Sequence, residues 1–191
     1  MSLDLLKYWD KRATYYTDLK YVEKTSYNLL KSYIDQAKPK SLIEIGCATG
    51  ILFPLYKNVP EVVACDWSSK MLERASLRCK RLGLKVKLFK SDIAEQAPEG
   101  CWQFSVTRFC LMHIPPERIK KAVNNIIQVC DEAFIYEYWE PGNPSKPLAA
   151  HNWLHDYRSM FEEAGFTTLK FHIMPDKPPQ ALFLFIARDR K

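Results

Sequence analysis

Nothing in this chain of 191 residues approaches the roughly 20 consecutive apolar residues that a bilayer-spanning helix needs. The opening, "MSLDLLKYWDKR", also lacks the apolar stretch of a signal peptide, so a soluble protein with no membrane partner is expected. No two of the six cysteines are spaced as CxxC. Most of them sit inside apolar runs, where a thiol behaves as a small hydrophobe, and this points to reduced structural cysteines and a cytoplasmic location. Only four histidines are present. His151 and His155, four apart, would share a helix face, but no third ligand accompanies them and no metal is expected. There is no internal repeat and no low-complexity linker. The net charge of +6 is compatible with an anionic partner and far below the density of a nucleic-acid coat.

At 47% apolar content the chain can bury one sizeable core, and one domain spanning 1–191 is expected, with a helical cap over 1–38 and a Rossmann-like core over 39–191. Up to about Asp35, apolar residues recur at three- and four-residue spacing, which predicts two helices with a break near Thr17 to Lys20. From Lys40 short apolar runs take over, and strands are expected at Ser41 to Ile45, Val62 to Cys65, Lys85 to Phe89, Gln103 to Phe109 and Ala133 to Glu137. Helical stretches lie between or after them at Ser69 to Leu82, Pro116 to Val129 and His151 to Ala164, with a weaker helix after Gly50 because Pro54 interrupts it. Alternation of this kind predicts an α/β fold, a doubly wound, mainly parallel sheet. Two further β-like segments, Thr168 to Ile173 and Ala181 to Ala187, are joined by "MPDKPPQ", too short for a crossover, so they must form an antiparallel C-terminal hairpin. That makes seven strands, with extra N-terminal helices.

In such a sheet ligands lie outside the carboxyl ends of the strands. "EIGCATG", Glu44 to Gly50, stands at the end of the first strand, where Gly46 and Gly50 permit left-handed backbone and a close approach to the main chain. Glu44 is expected to brace this turn by accepting N–H groups from the loop Cys47 to Gly50. The next strand, "VVACD", ends in Asp66, placed to accept hydrogen bonds from ribose hydroxyls. A GxGxxG dinucleotide fingerprint would need glycine where Ala48 and Ile51 stand.

These residues resemble the class I S-adenosylmethionine-dependent methyltransferases, whose first motif reads roughly E/D-x-G-x-G-x-G. Glu44, Gly46 and Gly50 match it and Ala48 takes the place of the middle glycine, where its methyl should narrow the cradle. "ACDWSSKMLERA" (Ala64 to Ala75), "KSDIAE" (Lys90 to Glu95) and "VTRFCLMHIPPE" (Val106 to Glu117) are similar to the second, third and fourth conserved segments. "WDKRATYY" (Trp9 to Tyr16) and "YRSMFEEAGF" (Tyr157 to Phe166) resemble the ends of the small-molecule branch, close to methyltransferase types 11 and 25. The resemblance implies S-adenosylmethionine as cofactor, leaving as S-adenosylhomocysteine, with Glu44, Gly46, Cys47, Ala48, Gly50, Asp66, Trp67, Met71, Asp92, Ile93, Arg108 and Phe109 around it. Asp92 would take the adenine amino group, and Trp67, Met71 and Ile93 would wall its ring.

Methyl transfer from a sulfonium is an in-line displacement that alignment and water exclusion can largely drive. A base is needed only for a protonated acceptor, and His113, closing the fourth strand, is the candidate. Tyr16, where the A-x-x-Y pattern falls, is a second candidate contact at the reacting group. Tyr8, Trp9, Tyr138, Trp139 and His151 are candidates for holding a small-molecule acceptor, to be methylated at O, N or C. Two alternatives stay open. The run Lys70 to Lys90 holds eight basic residues against one acid, Glu73, which would suit an RNA or protein methyltransferase, although the solvated face of a helix and the neighbouring edge strand is the favoured reading and nucleic acid is not the favoured partner. The other alternative is a non-catalytic relative that only binds the cofactor. Oligomeric state is left open.

Overall fold

Residues 3–16, 24–139, 145–149, 151–174 and 180–187 are described by a computed structural model. They fall into two units, within Ser2–Asp92 and Ile93–Lys191. In the first, helices α1 (Leu3–Arg12) and α2 (Lys24–Ala37) precede strand β1 (Ser41–Ile45), a 3₁₀ turn (Phe53–Tyr56), β2 (Glu61–Asp66), α3 (Ser69–Leu82) and β3 (Lys87–Lys90). β2 pairs in parallel with β1 on one side and β3 on the other. Its run Val62–Cys65 is buried throughout, as expected of a strand covered on both faces. Ser68 caps α3 at its start, and Gly83, in the left-handed conformation at φ 63°, ends it. The Leu84 N–H then reaches back to the Cys79 carbonyl at 3.0 Å, so the chain is still closing the helix there. This is why β3 begins at Lys87 and not at Lys85.

The second unit contains β4 (Trp102–Arg108), a 3₁₀ turn (Leu111–His113), α4 (Pro116–Val129) and β5 (Cys130–Tyr138). After these come β6 (Lys146–Ala149), β7 (Asn152–Leu154), α5 (Tyr157–Glu163), β8 (Phe166–Met174) and β9 (Gln180–Ala187). β4 and β5 are parallel, β9 runs antiparallel to β5, and β8 antiparallel to β9. The seven sheet strands are therefore mainly parallel and finish in the antiparallel hairpin that the sequence predicts. Phe161 stacks on Phe185 at 4.4 Å, Phe185 on Phe183 at 5.4 Å and Phe183 on Phe171 at 5.0 Å, a ladder across β9. Each such pair contributes about 0.5–1.5 kcal/mol beyond its buried area.

The C-terminal helix differs from expectation. It starts at Tyr157, not His151, because the Asp156 carboxylate caps it through Ser159, and the residues before it pair as β7 with β6 in a small two-stranded sheet. His151 and His155 therefore share no helix face. The weaker helix after Gly50 is the 3₁₀ turn at Phe53–Tyr56. The expected break near Thr17 to Lys20 and the centre of the "MPDKPPQ" connection lie outside the described residues. Among the described residues no helix is long and apolar enough to cross a membrane.

Candidate functional site

The ends of β1 and β2 lie side by side, with Ile45 opposite Cys65. The chain leaves β1 through three left-handed residues, Gly46 at φ 73°, Ala48 at 46° and Gly50 at 72°. The N–H groups of Gly46 and Cys47 both donate to the Cys65 carbonyl, at 2.9 and 3.0 Å. Asp66, 8% exposed, closes the structure from the other strand. Its Oδ2 accepts from Ala48 N and its Oδ1 from Ser68 N, each at 2.9 Å. Burial pushes its carboxyl up to about 6 in spite of those donors, and the nearby Asp10 adds to the shift.

Three further contacts tie the neighbouring segments together. The Ser68 hydroxyl donates to Asp10 Oδ1 while accepting from Met71 N, the Thr49 hydroxyl donates to the Tyr16 carbonyl, and Arg78 Nε donates to the Thr49 carbonyl at 3.0 Å. These bonds form two sets, Asp10 with Ser68 and Asp66, and Tyr16 with Thr49 and Arg78, which meet along the chain at Ala48 and Thr49. Arg78 is buried and does not belong to the solvated basic face. Met71 is buried beside Ser68, whereas Trp67 and Asp92 are half-buried. Trp9 meets Tyr8 and Tyr16 edge-on, at 5.1 and 6.4 Å.

Two expectations about the turn change. Of the N–H groups from Cys47 to Gly50 that Glu44 was expected to hold, Cys47 donates to Cys65, Ala48 to Asp66 and Gly50 to the Cys47 carbonyl. The brace is the acid of the second strand, because Asp66 points back across the strand ends while Glu44 lies buried within β1. Gly50 does not leave room for a ligand: a Cβ there would stand 2.4 Å from the Phe53 ring, so its missing side chain accommodates packing.

In the second unit Ile93 is buried, and its carbonyl accepts from Asn125 Nδ2 at 2.7 Å. β4 ends in Arg108, whose guanidinium lies 4.8 Å from the Phe109 ring, and Phe109 itself is left-handed at φ 49°. The Phe109 ring packs against Tyr136 and Tyr138 at 5.1 and 5.2 Å. The following turn is held by Glu137, which is fully buried. Its Oε1 accepts from Cys110 N and Leu111 N at 2.8 and 2.9 Å, and its Oε2 from Met112 N at 3.2 Å. Burial raises this carboxyl to about 7, against the pull of the three N–H groups and Arg108.

Hydrogen bonds fix the tautomers of two histidines. His113 Nδ1 faces the His151 carbonyl at 3.2 Å, and since a carbonyl only accepts, Nδ1 carries the hydrogen and Nε2 is the basic nitrogen. His155 Nε2 donates to the Ile114 carbonyl at 3.0 Å, so its Nδ1 accepts from the Ser145 hydroxyl at 2.7 Å. Burial lowers the His155 pKa to about 4, and the ring stays neutral. Trp139 is buried against Phe171 and Phe183. Sequence reasoning missed the bond between Asp10 and Ser68 and the partners of Glu137 and His155. Only Ser68 carried a local signal, a hydroxyl three residues before Met71 at a helix start. Among the described residues no three His, Cys, Asp or Glu side chains gather as a metal site would require.

The methyltransferase-domain family matches residues 42–133, the stretch that carries the glycine turn, Asp66, Asp92 and His113. That stretch, a little under half of the chain, is what is similar to a methyltransferase domain. The chain's fold is that of the N-methyltransferase NodS from Bradyrhizobium japonicum, crystallised with S-adenosylhomocysteine, at a TM-score of 0.78, 13% identity and coverage of 96% of this chain and 98% of that one. Magnesium protoporphyrin IX methyltransferase from Synechocystis, also with bound S-adenosylhomocysteine, superposes at 0.72 with 14% identity, covering 86% and 83%. Among curated proteins, a phosphatidylethanolamine N-methyltransferase of Cereibacter sphaeroides is 28% identical over 118 residues, which cover 60% of this chain and 57% of that protein. An uncharacterized Haemophilus influenzae protein is 30% identical over 111 residues, or 57% and 36%. The chain thus matches between about a third and somewhat more than half of the length of these curated relatives.

The cradle fits an adenosine. A carboxylate offers about four acceptor positions, and the Ala48 and Ser68 N–H groups use two of those on Asp66, which leaves room for ribose hydroxyls.

Proposed function

We propose that this chain is an S-adenosylmethionine-dependent methyltransferase, one domain over 1–191, acting on a small-molecule acceptor by in-line displacement. The observation that carries the reading is Asp66, a buried carboxylate at the strand end that holds the Ala48 and Ser68 N–H groups and keeps an acceptor position open. The bound cofactor supplies a methyl group activated by a sulfonium. The chain's part is to bind and align. Asp66 orients the ribose, Met71 and Ile93 offer apolar surface to the adenine, and Asp92 accepts from its amino group. Tyr8, Trp9 and Tyr16, brought together on the first unit, exclude water from the reacting centre. His113 presents Nε2 as a base for a protonated acceptor, its ring orientation set by the His151 carbonyl.

Amines are the first acceptors to test, because NodS and the phosphatidylethanolamine enzyme both transfer to nitrogen by name. Calorimetry with S-adenosylmethionine and S-adenosylhomocysteine, followed by transfer of a labelled methyl to a panel of small amines, alcohols and carboxylates, tests the reading. Micromolar binding with transfer to one class supports it. Binding of neither cofactor form removes it, and binding without transfer to any class leaves a non-catalytic relative.

A further inference from the structure

The first unit has a second concave site, at the end of the sheet opposite Asp66. β2 rises roughly 3.3 Å per residue, so its six residues separate the two ends by about 16 Å. At the entry to β2 and β3 lies a cavity of about 330 Å³, built from the 3₁₀ turn and the loops before those strands. That volume falls within the roughly 300–1,000 Å³ of small-ligand pockets. Phe53, Tyr56 and Val59 make its buried apolar floor, and the half-buried Leu84 and Val86 its wall. Lys57 and Lys85, both exposed, stand among its lining residues, which include no carboxylate. The chain around Lys85 adds Lys80, Arg81 and Lys87, all exposed, against one exposed acid, Glu61, after Pro60, and Leu82 adds apolar surface at 43% exposure.

Two cations around one apolar cavity repel each other, and an anion between them relieves that repulsion. The floor asks for a different property, an apolar body that excludes water. We infer that this cavity binds an amphiphilic anion, a carboxylate or phosphate head between Lys57 and Lys85 with a short apolar tail along Leu84 and Val86 over Val59. At about 30 Å³ per water molecule, the space equals roughly eleven waters, enough for about ten heavy atoms. Octanoate has that size. The site uses no residue of the cofactor cradle, so it stands apart from the methyl-transfer reading.

The test is calorimetric titration of the full chain with monomeric octanoate, with octylamine as the cation of equal tail length. One saturable site is expected, with octylamine at least tenfold weaker and a Lys57→Gln/Lys85→Gln variant at least tenfold weaker for octanoate. S-adenosylhomocysteine affinity should be unchanged in that variant, and a wild-type chain that fails to bind it would count against the cofactor reading alone. Absence of saturable octanoate binding, equal binding of the two amphiphiles, full affinity in the double variant, or displacement of octanoate by S-adenosylhomocysteine would each overturn the proposal. A parallel sedimentation with phosphatidylglycerol and phosphatidylcholine vesicles separates the sources of the anion. Retention on the anionic vesicles without octanoate binding would overturn the proposal too, by placing the interaction on a lipid surface.

Discussion

Ala48 holds φ at 46°, a region in which the Cβ of an L-residue crowds the backbone at a cost of about 1–2 kcal/mol. The conformation persists because the Ala48 N–H must point at Asp66 Oδ2. Glycine would remove the strain, at an unfolded-state entropy cost of about 0.4–1 kcal/mol. Ala48→Gly should therefore leave stability unchanged or raise it by up to about 1 kcal/mol in urea denaturation, with cofactor affinity at least equal to wild type. A clear loss of stability would mean that the alanine methyl is needed for packing. Asp66 is the more consequential residue. Asp66→Ala orphans the Ala48 and Ser68 N–H groups as well as removing the ribose acceptor. A bond to a charged group contributes about 1.5–3 kcal/mol, which corresponds to a tenfold to hundredfold weaker S-adenosylhomocysteine titration. An unchanged titration would remove Asp66 from the site.

Among the elements, α3 links the cradle to the N-terminal helix through one residue. Ser68 caps it by accepting from Met71 N and donates in turn to Asp10. Loss of a helix N-cap costs about 1 kcal/mol, so Ser68→Ala should lower the unfolding free energy measured in urea by that amount and weaken cofactor binding, while Ser68→Thr should restore both. Equal binding in the alanine variant would confine Ser68 to the helix. The boundaries of β1, α3 and α4 were legible because sharp local signals mark them: Gly46 after β1, Gly83 after α3, and Pro115 before α4 with Pro116 opening it. The start of α5 was not. Trp153, Leu154, Tyr157 and Phe161 imitate helical spacing, yet Trp153 pairs with Pro147 across the small hairpin and only Asp156 begins the helix. At the site, the acid ending a strand announced Asp66. Nothing local announces that Glu137 will hold the Cys110, Leu111 and Met112 amides, because those partners lie 25 to 27 residues away and meet it only through the pairing of β4 with β5.

Across the whole molecule, three buried groups give stability a pH dependence whose sign can be worked out. Asp66 is raised from 3.8 to about 6 and Glu137 from 4.5 to about 7, in both cases by burial above all. Each therefore contributes stability that is fully present below its unfolded pKa and is lost as pH rises through its folded one. His155 is lowered from 6.5 to about 4 by burial, so its contribution is present above 6.5 and is lost as pH falls through 4. Shifts of about two units correspond to roughly 3 kcal/mol for each group. Between about pH 4.5 and 6 the folded chain holds two carboxyl protons that the unfolded chain has released and lacks one imidazole proton that the unfolded chain has bound. Folding takes up one net proton in that window, and stability should fall by about 1.4 kcal/mol per pH unit. Glu137→Gln keeps an acceptor oxygen for Cys110 and Leu111 but cannot ionise, leaving Asp66 and His155 to cancel. Urea midpoints at pH 4.5, 5.25 and 6 should therefore slope downward in the wild type and run flat in Glu137→Gln. A variant that keeps the wild-type slope would show that Glu137 is ionised throughout the window and that its three backbone donors, with Arg108, outweigh its burial.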